Sequence, residues 1–85
     1  SKNANIGELV LKFSPKVRVR VQDYFDEEQV KLMDDGSSLV KVNYPEDDWV
    51  YGTILSYGDD VEVLEPIHIR EIIKEKSKKI WEKYK

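Results

Sequence analysis

Gln29-Val30-Lys31-Leu32-Met33-Asp34-Asp35-Gly36-Ser37-Ser38-Leu39-Val40-Lys41-Val42 contains two short apolar runs around an acidic, glycine-bearing turn. Gln29–Met33 is a strand candidate, and Leu39, Val40 and Val42 resume extended structure after the turn. Gly36 supplies the positive φ that a tight hairpin demands. The pattern predicts an antiparallel hairpin at the middle of the chain. Upstream, Leu9, Leu11 and Phe13 alternate with Val10 and Lys12, which predicts a strand over Glu8–Phe13 with one face in the core. Ser14-Pro15 then reads as a helix start, Ser as cap and Pro in the first turn, where a missing N–H costs nothing. Val17, Val19 and Val21 alternate like a strand, yet Val17, Val21, Tyr24 and Phe25 also fall at helical spacing. The cap decides for helix.

Downstream, Pro45 is expected to open a second helix with Glu46, Asp47 and Asp48 in its first turn, where negative charge is favoured. Trp49, Val50, Ile54, Leu55 and Tyr57 form its apolar face, and Gly58 closes it in the left-handed conformation. Val61, Val63 and Leu64 predict a short strand that Pro66 stops. Ile67–Lys85 predicts a last helix of roughly 28 Å. Its stripe is Ile69, Ile72, Ile73, Ile80, Trp81 and Tyr84. The order β-α-β-β-α-β followed by a helix describes an α+β fold, a ferredoxin-like split β-α-β sandwich with an additional C-terminal helix.

The chain has 85 residues, no Cys, one His and a net charge of −3, which fits one small domain built on an apolar core without disulfides. No apolar run is long enough to span a bilayer, and the protein is expected to be soluble and cytoplasmic. Residues 70–85 carry seven Lys/Arg against three Glu, whereas residues 1–69 carry seven against fourteen acids. An acidic body with a basic tail is a poor match to duplex DNA, which wants cations over a whole face. Residues 1–7 are expected to be a tag remnant or linker, and residues 8–85 the domain.

Catalysis finds little support. Without Cys and with His68 alone, neither a thiol nucleophile nor a Cys/His metal site can be assembled. The acidic clusters sit where solvated carboxylates are expected, and no phosphate-cradling glycine motif is present. No enzyme activity, metal or cofactor is predicted. Lys12, Lys16, Arg18 and Arg20 form a basic cluster near Tyr24 that reads as a solvated helix face or as part of a phosphate contact. Trp49, Trp81 and Tyr84 read as core or helix-docking residues, with partner contact as the alternative.

Ile54-Leu55-Ser56-Tyr57-Gly58-Asp59-Asp60-Val61-Glu62-Val63-Leu64-Glu65-Pro66, followed by Ile69-Arg70-Glu71 and a basic amphipathic helix, resembles the C-terminal extension (WCX) domain of WYL-domain transcriptional regulators. Phe13-Ser14-Pro15 and Asp35-Gly36-Ser37 match the same pattern. Ile69 stands where that family usually has Leu, and Phe25 where many members have Trp. The resemblance implies a bacterial regulator whose winged helix-turn-helix and WYL domains lie outside this chain. Its WYL domain would sense a nucleotide or single-stranded nucleic acid, and the WCX domain would help form a homodimer and close over a WYL domain of its own or the partner chain. Duplex DNA would be bound only through the N-terminal domain. Arg18, Arg20, Arg70, Trp81 and Tyr84 are the candidate ligand or partner contacts, and Pro15, Gly36, Gly58 and Pro66 the backbone-shaping positions. A stand-alone ferredoxin-like module binding a small ligand is the competing reading.

Overall fold

The computed structural model describes residues 6–85. The central hairpin forms as expected: β2 (Val30–Leu32) and β3 (Ser38–Pro45) pair antiparallel, Val30 opposite Val40 and Leu32 opposite Ser38. Gly36 has φ +90° in the connecting turn, a conformation disfavoured for residues with a Cβ. The Asp35 carboxylate fastens that turn, accepting from the Ser37 backbone N–H at 2.9 Å and from its hydroxyl at 2.5 Å. The Ser37 hydroxyl, and then its N–H, hold the Asp35 carboxyl below its ordinary value.

β1 (Ile6–Phe13) pairs with β3 from Ile6 opposite Pro45 to Phe13 opposite Ser38. It starts two residues before the expected Glu8, so Ile6 and Gly7, assigned above to the leading segment, are paired strand residues; residues 1–5 lie outside the described residues. β4 (Val61–Glu65) pairs antiparallel with the other side of β1. The sheet order is β2-β3-β1-β4. With α1 (Arg18–Tyr24) joining β1 to β2 and α2 (Asp48–Leu55) joining β3 to β4, this is the ferredoxin-like arrangement, and α3 (Ile67–Tyr84) is the added helix.

Period-two alternation sorts the sheet. Leu9, Leu11 and Phe13 of β1, Val40 and Val42 of β3 and Val63 of β4 lie on one face, where they join Val21, Phe25, Val50, Ile54, Tyr57 and Ile69 in the core. Phe13 is fully buried, its ring 4.9 Å from that of Tyr57 and 5.8 Å from that of Phe25. Glu8, Lys12, Lys31, Lys41 and Asn43 are exposed on the opposite face.

Two helix starts differ from expectation. Ser14 does not cap with its side chain; its hydroxyl donates to Asp60 Oδ1 at 2.8 Å and its N–H to the Asp60 carbonyl at 2.9 Å, tying the end of β1 to the start of β4. Pro15 does open the helical segment, as a short 3-10 turn (Pro15–Val17) that runs into α1. Pro45, in contrast, is the last residue of β3 and not the first of α2. β2 reaches only as far as Val40, so β3 has β1 as its sole strand neighbour at Pro45, and a missing donor is tolerated there. Asp47 is the cap of α2, its Oδ1 accepting from Val50 N–H at 3.1 Å. Gly58 takes the expected positive φ, +60°, but does not close the helix: α2 ends at Leu55 with Ser56 as its cap, and Gly58 opens the short 3-10 turn that leads into β4.

α3 has two unlike halves. Ile69 is buried in the core and Ile73 packs against it, while the Lys76 ammonium stands 5.6 Å over the Tyr51 ring of α2. From Ser77 to Lys85 every residue is exposed.

Candidate contact surfaces

Burying Val21 and Phe25 turns Val19, Arg20, Asp23 and Tyr24 of α1 toward α2, which answers with Trp49 and Thr53 and, just beyond its end, Ser56 and Tyr57. The result is an open groove of about 670 Å³ between the two helices. Arg20 lies across Tyr57, its guanidinium carbon 3.9 Å from the ring centroid, a geometry in which the ring face attracts the cation. Val19, Tyr24 and Trp49 remain 70%, 50% and 58% exposed. Trp49 is therefore not a core residue; it touches Tyr44 edge-on at 6.0 Å and leaves most of its ring to solvent.

The basic cluster seen in the sequence is not one surface. Arg20 lines the groove and Arg18 does not, while Lys12 points to the opposite side of the sheet because its neighbour Phe13 points to the core. Val19 is not among the contacts expected from the sequence, and Trp49 is expected there first as a core or helix-docking residue, with partner contact as the alternative. Their signal is that each stands out of phase with the buried positions of its helix, Val21 and Phe25 in one case, Val50 and Ile54 in the other.

Arg70 is committed inside the domain. Its Nη1 donates to the Val63 carbonyl at 2.6 Å and to Glu62 Oε2 at 3.3 Å, closing the outer edge of β4. Trp81 and Tyr84 are 62% and 83% exposed on the free half of α3 beside Ile80, with Lys85 Nζ 5.6 Å from the Trp81 ring. Pro15 and Gly36 meet: a Cβ on Gly36 would sit 3.3 Å from Pro15 Cγ, so the hairpin turn rests on the first turn of the helical segment.

A third feature joins α3 to the β3–α2 connection. The Glu46 carboxylate accepts from the Tyr51 hydroxyl at 2.7 Å with one oxygen and pairs with His68 Nε2 at 2.5 Å with the other. His68 first, and Tyr51 second, hold the Glu46 carboxyl below its ordinary value. The same carboxylate, followed by burial, pushes the Tyr51 phenol up to about 12. With both carboxylate oxygens engaged, the arrangement is a latch that fixes the start of α3.

The family model for the WCX domain matches residues 5–81. The chain belongs to the WCX domain family. Among curated proteins, the domain is 35% identical over 71 residues, 82% of its length, to a Bacillus subtilis (strain 168) protein described as an uncharacterized HTH-type transcriptional regulator, YobV. This WCX domain spans 23% of that relative's length. Among the described residues, no helix is long and apolar enough to cross a membrane.

Proposed function

We propose that this WCX domain is the C-terminal dimerisation and effector-response module of a WYL-type transcriptional regulator of the cytoplasm, without enzymatic activity of its own. The observation that carries the reading is the free half of α3, where Ile80, Trp81 and Tyr84 are held in water on a continuous helix. Large aromatic side chains in that position suit a partner surface better than a solvated tail. The regulator relative of which the domain covers the smaller part supports a division of labour, with duplex DNA bound by a helix-turn-helix elsewhere in the longer protein. Arg20, exposed on α1 with its guanidinium over the Tyr57 ring, supports effector contact by offering a cation to a phosphate. Arg18, two residues before Arg20 and also exposed, adds a second side-chain cation to α1 outside the groove lining.

The test is the solution mass and operator binding of the longer regulator with and without the segment equivalent to residues 6–85, in the absence and presence of a mixed-sequence single-stranded oligodeoxynucleotide. The expected result is a dimer that responds to the oligonucleotide, becoming a monomer with weakened operator binding when the segment is removed. A deleted protein that remains a dimer and responds as before overturns the reading.

A further inference from the structure

The groove and the free half of α3 are complementary. The groove is apolar at its exposed end, where Val19, Tyr24 and Trp49 gather; its lining holds one acid, Asp23, and one cation, Arg20, whose guanidinium is taken up by the Tyr57 ring, and two further acids, Asp47 and Asp48, immediately precede Trp49. The helix from Lys74 to Lys85 carries six Lys against two Glu beside Ile80, Trp81 and Tyr84. Apolar centre would meet apolar stripe, and carboxylates would meet ammonium groups at the rim.

The two surfaces cannot meet within one chain. Lys76 over Tyr51 places α3 on one side of α2, whereas Trp49 and Thr53 face α1 on the other, because residues 49 and 51 point to opposite sides of a helix. α3 is continuous over 18 residues and cannot turn back across α2. We infer that the free half of α3 of one copy lies in the α1–α2 groove of a second copy, and reciprocally, about a two-fold axis. This rests on the dimerisation reading above and names its surfaces.

The area suffices. Tyr24, Trp49, Trp81 and Tyr84 are 50%, 58%, 62% and 83% exposed. At roughly 200 Å² per aromatic side chain they offer about 500 Å² per copy before Val19, Ile80 and the lysine stems are added. A stable interface needs about 800 Å² per partner.

The experiment is sedimentation equilibrium of the 85-residue chain and two double variants, Trp81→Ala/Tyr84→Ala in the tail and Tyr24→Ala/Trp49→Ala in the groove, with circular dichroism to show that each remains folded. The unaltered chain is expected to form a dimer whose dissociation constant rises with salt. Each double variant loses both tail–groove contacts at once; at about 30-fold or more per contact, dimerisation weakens by roughly a thousand-fold. Mixing the two variants is the decisive arm, since one intact tail then faces one intact groove and a heterodimer joined by a single contact is expected. Persistence of dimers in the groove variant, as a tail–tail pairing would give, overturns the inference, and so does a mixture that stays monomeric. A monomeric 85-residue chain beside a dimeric longer regulator overturns the tail–groove pairing while leaving the dimerisation reading intact. Monomers in both overturn the two together.

Discussion

Replacing Ile69 by Ala separates the docked half of α3 from the free half. Ile69 is 5% exposed and is the α3 residue in the core cluster, where it joins Val63, Val50 and Leu9. Truncating a buried Ile to Ala removes its transfer free energy and leaves a cavity, typically costing about 2–5 kcal/mol. An 85-residue domain has a total stability of roughly 4–13 kcal/mol, so the change removes a large share of it. With an unfolding entropy near 2.1 cal/mol/K per residue, about 0.18 kcal/mol/K for the whole chain, a loss of about 3 kcal/mol lowers Tm by roughly 17 °C. Trp81→Ala, at 62% exposure on the free half, should fall within about 0.5 kcal/mol, or roughly 3 °C. The assay is thermal unfolding followed by circular dichroism, at protein concentrations low enough that self-association contributes nothing to Tm. The comparison is refuted by a shift under about 5 °C for Ile69→Ala, or by a Trp81→Ala shift approaching that of Ile69→Ala.

Two further outcomes follow from named contacts. Because Glu46 has its folded value depressed below the ordinary 4.5, its contribution is fully present above that pH and is lost as pH falls through the folded value. Tm should therefore fall less steeply between pH 5.5 and 3 in Glu46→Gln than in the unaltered domain, and equal slopes would remove the latch from the account. Gly36→Ala places a Cβ at φ +90° and 3.3 Å from Pro15 Cγ, which should cost about 1–2 kcal/mol and lower Tm by roughly 5–10 °C; an unchanged Tm would show that the turn can relax.

Much of the fold was legible in local signals. The alternation of Leu9, Leu11 and Phe13, the Gly36 turn and the long stripe of α3 each encode an element within a few residues, and β4 follows from Val61 and Val63 before Pro66. What local pattern could not decide was set by distant neighbours. Pro45 is acceptable either at a helix start or in a strand lacking a partner on one side, and the choice rests on β2 being too short to reach it. Ser14 is a good cap by type, yet Asp60, 46 residues away, claims its hydroxyl. The groove was illegible for the same reason, since its two walls come from helices some thirty residues apart. Trp49 was grouped with Val50, Ile54 and Tyr57 by composition, although only the last three share the inward face.

The division of α3 bears on what the domain is for. A sheet of four antiparallel strands leaves two edges, and α3 attends to one of them: Arg70 binds the Val63 carbonyl of β4, while Ile69 and Ile73 pack onto the core. That work is complete by Lys76, whose ammonium rests over Tyr51. Holding the remaining residues in helical form costs about 1–2 kcal/mol of backbone entropy for each, and so short an isolated helical segment is marginal in water. Glu75 near Lys78 and Lys79 returns only a few tenths of a kcal/mol per pair. The aromatic rings at Trp81 and Tyr84 add no burial within the domain to offset that entropy. A helix that continues beyond its intramolecular contacts, with its largest apolar side chains in the undocked part, is accounted for energetically when those residues are covered by a surface outside the domain.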